Sequence, residues 1–199
     1  MHQSPAPQRP VVLGSTSRYR RELLSRLNLP FEIASPDVDE TPTPGEAPRD
    51  LALRLALAKA HAVAKQHPEA VVIGSDQVAD LAGQPLGKPG THERAVQQLR
   101  QMRGQTVIFQ TAVATVCQAS GFEQVDIAPV EVRFRDLSDD EIERYLRAEQ
   151  PYDCAGSAKS EGLGIALLDA IHSDDPTALI GLPLIRTCRM LRAAGVVLP

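Results

Sequence analysis

The chain has 199 residues, 43% of them hydrophobic, enough for one domain with a buried core that folds without disulfide support. A formal charge of −4 gives no basic footprint for a long nucleic acid, although a cleft on an acidic protein can still be locally basic. Cys117, Cys154 and Cys188 lie far apart, with no CxxC pair and no histidine cluster to complete a zinc site, so they read as free thiols in a reducing compartment.

Residues 1–10, MHQSPAPQRP, are polar and proline-rich, lack the apolar stretch of a secretory signal, and read as a disordered lead-in to a single domain over 11–199. No apolar run approaches the roughly 20 residues of a membrane span, so the expectation is a soluble cytoplasmic protein.

Val11 to Leu13 reads as a strand that enters the polar turn Gly14-Ser15-Thr16-Ser17, after which Arg20 to Leu27 set Leu23, Leu24 and Leu27 on one helical face. Phe31 to Ala34 is a second strand candidate, followed by a proline-broken acidic loop from Asp37 to Pro44. Pro48 fits a first helical turn, and Leu51, Leu55, Ala58 and Ala62 continue a helix to about Gln66 that presents Lys59. Ala70 to Gly74 is a short apolar run that predicts a buried strand ending in Ser75-Asp76-Gln77, the kind of strand end where open α/β sheets bind ligands.

Leu86 to Gly90 reads as a loop, Thr91 as a cap, and Ala95, Leu99 and Met102 as the apolar face of a helix stopped by Gly104. Alternation from Thr106 to Cys117 and again from Val125 to Phe134 predicts a long antiparallel hairpin. Ser138-Asp-Asp-Glu141 is a capping-box pattern for a helix ended by Pro151. Gly156 to Gly164 is polar and glycine-rich, Ile165 to Ile171 a strand candidate, and Leu182 to Ala194 a final helix with Leu184, Cys188 and Leu191 inward. The order implies an α/β fold with a mixed, partly antiparallel sheet flanked by helices.

The chemistry-bearing residues leave two readings each. The turn at Ser15, followed by Arg18, Arg20 and Arg21, meets a helix N-terminus and suits an anion, but it equally suits an N-capping serine with solvated arginines. Asp37, Asp39 and Glu40 read as solvated loop acids, whereas Asp76, closing a buried strand, either is structural or needs a partner or a metal to offset desolvation. Lys59, Lys88 and Lys159 suit a triphosphate if they converge, which spacing alone does not show.

Taken in order, Gly14-Ser-Thr-Ser-Arg-Tyr-Arg-Arg21, Asp37-Val-Asp-Glu40, Lys59, Gly74-Ser-Asp-Gln77, Gly87-Lys-Pro89, Gly156-Ser-Ala-Lys-Ser-Glu-Gly162 and Gly181-Leu-Pro183 resemble the Maf nucleotide pyrophosphatases over almost the whole length. The resemblance implies hydrolysis of a nucleoside triphosphate to monophosphate and diphosphate, on a two-lobed fold shared with the inosine-triphosphate pyrophosphatases. It assigns Asp76 as proton acceptor, Glu40 and Asp76 as holders of a divalent metal (Mg²⁺, Mn²⁺ or Co²⁺), and Ser15, Arg20, Lys59, Lys88 and Lys159 as phosphate ligands. It also implies a homodimer.

Three further positions, Tyr19, Gln77 and Glu161, are those the family links to base choice. Members acting on dTTP and UTP carry arginine, threonine and glutamine there, and this chain differs at all three. The resemblance is therefore to the 7-methyl-GTP subgroup, although members of that subgroup often have tryptophan where Tyr19 stands. A methylated guanine carries positive charge, so a tyrosine face would add roughly 0.5–2 kcal/mol of cation–π attraction and Glu161 a charge-assisted contact. The alternatives are a pyrophosphatase for another altered or pyrimidine nucleotide (dTTP or UTP), and a non-catalytic nucleotide-binding regulator of cell division.

Overall fold

The computed structural model describes residues 9–198; apart from Arg9 and Pro10, the expected lead-in lies outside them. Strands β1 (Val11–Gly14), β2 (Glu32–Ala34), β3 (Val71–Leu81), β4 (Gln84–Leu86), β5 (Thr106–Cys117), β6 (Phe122–Phe134) and β7 (Leu168–His172) form one mixed sheet. Its order is β2-β1-β3-β5-β6-β7, with β4 paired to β3. The β1 pairings with β2 and β3 are parallel and the others antiparallel.

Strand polarity divides the core into layers. Even-numbered residues of β3 and β5, among them Val72, Val78, Ala112 and Ala114, pack under helix α2 (Pro48–Ala64). Odd-numbered residues face the other way: Ile73 and Val113 meet α1 (Arg18–Ser25) and α5 (Leu184–Ala193), while Ala79 and Phe109 meet α3 (His92–Met102) and α4 (Asp139–Glu149). Asp76 therefore points to the α2 side and Gln77 to the opposite side.

One expectation is corrected at β3. The strand does not stop at Gly74, because its neighbours change along its length. It lies parallel to β1 only as far as Gly74, but its antiparallel ladder with β5 runs from Val72 opposite Val116 to Asp80 opposite Ile108. Asp76 sits opposite Ala112 in mid-strand, at the point where β1 gives out.

α2 buries Leu51 and Leu55 of the predicted stripe, but Ala58 and Ala62 are only half-buried, and the inward face is completed instead by Ala52, Ala56, Ala60, Val63 and Ala64. The small residues let it approach β3. A Cβ on Gly74 would stand 2.3 Å from the Ala56 carbonyl oxygen and 2.5 Å from the Ala60 nitrogen. This approach brings Lys59 beside Asp76.

The capping box at Ser138 and Glu141 is formed, and Thr91 caps α3. The predicted strand over 165–171 is instead a 3₁₀ turn, Leu163–Leu167, followed by β7. Leu167 turns into the core at 4% exposure, which an extended continuation of β7 would not allow. In α5 the fully inward residues are Thr187, Met190 and Leu191, with Leu184 and Cys188 only half-buried.

Candidate active site

A cleft of about 1070 Å³ opens where β1 gives out beside β3, lined from α1, α2, β3 and the loops before α2, before α3, after α4 and before α5. Lys59 lies at its floor with a side chain only 6% exposed. Its ammonium donates to Asp76 Oδ1 at 2.7 Å and pairs with Glu40 Oε1 at 2.6 Å. Asp76 is nearly as buried, at 11%, while Glu40 reaches in from the acidic loop at 58% exposure. Burial pushes the Glu40 carboxyl up, but Lys59, Lys88 and Arg20 more than offset it, and its pKa lies below the ordinary value.

The turn at the end of β1 adds the next groups. Ser17, not Ser15, caps α1, accepting from the Arg20 N–H at 3.5 Å. Ser15 is buried and accepts from the Ser17 N–H at 3.2 Å and from Arg20 Nη1 at 3.4 Å. Arg20 Nε donates to the Gly181 carbonyl at 2.8 Å, which fixes the guanidinium in the cleft wall. Burial lowers the Arg20 pKa against the opposing pull of Asp76 and Glu40. Lys88 lines the same cleft and is felt electrostatically by Glu40. Ser15, Arg20, Glu40, Lys59, Asp76 and Lys88 thus share one cleft.

A second group surrounds Tyr19. Arg18 Nη2 donates to the Tyr19 hydroxyl at 2.6 Å, and its guanidinium carbon lies 4.7 Å from the ring centroid. Asp153 accepts from that hydroxyl at 3.5 Å and pairs with Arg18 at 3.6 Å. Burial lifts the Tyr19 pKa to about 12 and that of the neighbouring Cys154 thiol to about 12, so both stay protonated at neutral pH. Glu161 lines the cleft here and is among the charges acting on Cys154 and Lys159. The Tyr19 face therefore carries a guanidinium balanced by a carboxylate.

Gln77 has a fixed amide. Its Nε2 donates toward Thr111 Oγ1 at 2.9 Å and the carbonyls of Ala178 and Leu179 at 3.0 Å each. Since carbonyls only accept, the amide nitrogen must point there, and the amide oxygen remains as the acceptor.

Lys159 stands apart from the other expected phosphate ligands. It is not among the cleft-lining residues; its ammonium donates to Glu149 Oε1 at 2.6 Å and lies 5.9 Å from the Tyr19 ring centroid. Asp153 and Tyr152, which the sequence did not bring forward, and Cys154, which it marked only as a free thiol, all line the cleft. Only their position between a helix-ending proline and a glycine-rich loop hinted at them.

Among the described residues no group of three or more His, Cys, Asp or Glu side chains is placed to hold a metal ion. Glu40 and Asp76 do converge on one cation, the Lys59 ammonium. Two carboxylates suit a hard ion such as Mg²⁺, which commonly takes one or two protein carboxylates and fills its other positions with phosphate oxygens and water.

The family model described as a Maf-like protein matches residues 10–194. The chain is 78% identical over 190 residues to a 7-methyl-GTP pyrophosphatase of Polaromonas sp., covering 96% of this chain and 87% of that one. It is 71% identical over 189 residues to the protein of that name from Albidiferax ferrireducens, covering 95% of each. With the one from Bordetella pertussis it shares 62% over 192 residues, 96% of each chain.

Proposed function

The chain belongs to the Maf family, and from that membership and the chemistry of the cleft we propose that it is a nucleoside triphosphate pyrophosphatase hydrolysing 7-methyl-GTP to 7-methyl-GMP and diphosphate. The observation that carries the reading is the buried Lys59 ammonium clasped between Glu40 and Asp76, in the cleft that also holds Ser15, Arg20 and Lys88. Cations in excess of what two carboxylates require are what a polyphosphate demands.

In this reading Arg20, Lys59 and Lys88 bind phosphate oxygens and stabilise the charge that builds on the departing diphosphate, and the Ser15 hydroxyl adds a neutral donor. Asp76 takes the proton of the attacking water, for which it needs to stand within hydrogen-bond reach of that water when nucleotide is bound. Glu40 and Asp76 would hold a divalent metal (Mg²⁺, Mn²⁺ or Co²⁺), which when bound polarises the phosphate and lowers the pKa of water. As nucleotide enters, Lys59 exchanges one carboxylate for a phosphate oxygen, so its charge stays paired throughout.

Tyr19, Gln77 and Glu161 contact the base. The Gln77 oxygen and the Glu161 carboxylate both accept, which matches the N–H groups on the guanine edge. Around Tyr19, the carboxylates of Asp153, Glu149 and Glu161 outnumber the cations Arg18 and Lys159, a balance that favours a positively charged methylated ring. A pyrimidine triphosphate is the second reading, favoured by one observation: the Arg18 guanidinium lies over Tyr19, where the dTTP and UTP group has an arginine of its own.

No helix among the described residues is long and apolar enough to cross a membrane. We place the enzyme in the cytoplasm, where its nucleotide substrate is, as a homodimer. The type of bond cut is tested by product analysis with a divalent metal present. Equal amounts of nucleoside monophosphate and diphosphate are expected, whereas nucleoside diphosphate with orthophosphate would mean a different hydrolase.

A further inference from the structure

The C-terminal half of α4 makes several contacts with the segment that carries Glu161. Glu149, the last residue of that helix, uses both carboxylate oxygens on it. Oε1 accepts from Lys159 Nζ at 2.6 Å and Oε2 from the Leu163 N–H at 2.7 Å, so one side chain grips the loop on either side of Glu161. One turn back in α4, the buried Tyr145 hydroxyl accepts the Lys159 N–H at 3.1 Å. The fit is close: a Cβ on Gly162 would stand 2.7 Å from Glu149 Oε2, and one on Gly164 would stand 2.6 Å from the Lys159 carbonyl oxygen.

A carboxylate at a helix C-terminus opposes the helix dipole, so α4 itself gains nothing from Glu149. The side chain is nonetheless only 13% exposed, and its bond from Lys159, followed by that from Leu163, holds its carboxyl below the ordinary pKa. The energetic return lies in the loop. The Lys159 ammonium is paired in this contact, 2.6 Å from Glu149 Oε1.

We propose that Glu149 is a positioning residue for base selection: with Tyr145 and Lys159 it holds Glu161 in the cleft that Tyr19 also lines, and Lys159 serves this clamp in place of a phosphate. The proposal rests on the reading of Glu161 as a base contact. Both Glu149 carboxylate oxygens are bonded to the loop, so its loss acts through the loop.

The test uses the full chain with Glu149→Ala, Lys159→Met and the double variant. Each is assayed for kcat and KM with 7-methyl-GTP and GTP, for competitive inhibition by inorganic diphosphate, and for melting temperature. Each single variant is expected to lower the 7-methyl-GTP to GTP ratio of kcat/KM by about three- to tenfold, mainly through KM, with the double variant no worse than either. Diphosphate inhibition should stay within about twofold of wild type. Gly162→Ala, which drives a methyl into the Glu149 carboxylate, should reproduce the change in ratio, and it supplies the same readout should Glu149→Ala fail to fold.

An unchanged ratio in Glu149→Ala and Gly162→Ala overturns the proposal. So does a Lys159→Met variant that weakens diphosphate and both nucleotides alike. A wild-type enzyme without preference for the methylated base would instead sink the substrate reading, and the clamp is then judged on whichever pair of bases the wild type does distinguish.

Discussion

Asp76 and Lys59 form a nearly enclosed ion pair, with side chains 11% and 6% exposed and 2.7 Å between charged atoms. A pair this buried is a weak source of stability, since desolvation offsets most of the attraction, so its presence argues for use. Asp76→Asn keeps the shape and removes the base. Turnover should fall by at least about a hundredfold, the scale of a lost general base, while the far-UV circular dichroism spectrum is retained. Near-wild-type kcat in that variant would remove Asp76 from the mechanism.

At this scale the sequence was informative where desolvation demands a partner. A carboxylate following Val71-Val-Ile73 pointed to a partner or a metal, and Lys59 is such a partner. It gave no site role to Asp153, Cys154 or Glu149, because their significance lies in contacts across more than a hundred residues to Tyr19 or in bonds to Lys159 and the Leu163 N–H.

The element that sets the site is the α2–β3 contact. Gly74 has backbone atoms of Ala56 and Ala60 where a Cβ would go, so Gly74→Ala must push the helix and its Lys59 away from Asp76. A cost of about 1–3 kcal/mol is expected from the overpacking, read as a lower urea midpoint, together with a drop in kcat/KM. Wild-type stability and activity in that variant would mean that the close approach does not set the site.

A second element-level test concerns the cap of α4. The Ser138 N–H, then Arg135 and the Ser138 side chain, hold the Glu141 carboxyl down at about 2, against an ordinary value of 4.5. A depressed carboxylate contributes stability above its unfolded pKa and loses it as pH falls through the folded one. The urea midpoint of wild type should therefore exceed that of Glu141→Gln at pH 6, and the gap should close between about pH 4.5 and 2. A gap independent of pH would contradict the assignment.

Caps and amphipathic faces were legible because they are local. The full length of β3 was not, since its continuation past Gly74 is dictated by β5, and neither was the hairpin into β4, whose turn residues Ala82 and Gly83 both take positive φ. Such a turn favours asparagine or glycine at its first position, and alanine gave no signal.

Over the whole molecule, the sheet separates two tasks. In the proposed function the α2 face and the end of β1 supply the polyphosphate groups, and α4 with the loop after it supplies the surroundings of Tyr19 and Glu161, with β3 running between them. Composition and periodicity reached the mixed sheet and left an anion site at α1 as one of two readings; the ordered motifs reached the family. Convergence of Glu40, Lys59, Asp76 and Lys88 required the fold, because they come from a loop, a helix, a strand and another loop.

The central claim, that this cleft selects a methylated guanine triphosphate, is tested most directly by comparing kcat/KM for 7-methyl-GTP, GTP, dTTP, UTP and inosine triphosphate, scored as released diphosphate with a divalent metal present. A preference for 7-methyl-GTP over GTP of about tenfold, corresponding to about 1.4 kcal/mol, is predicted. A preference for dTTP or UTP would contradict it and give Arg18 the role assigned here to Tyr19.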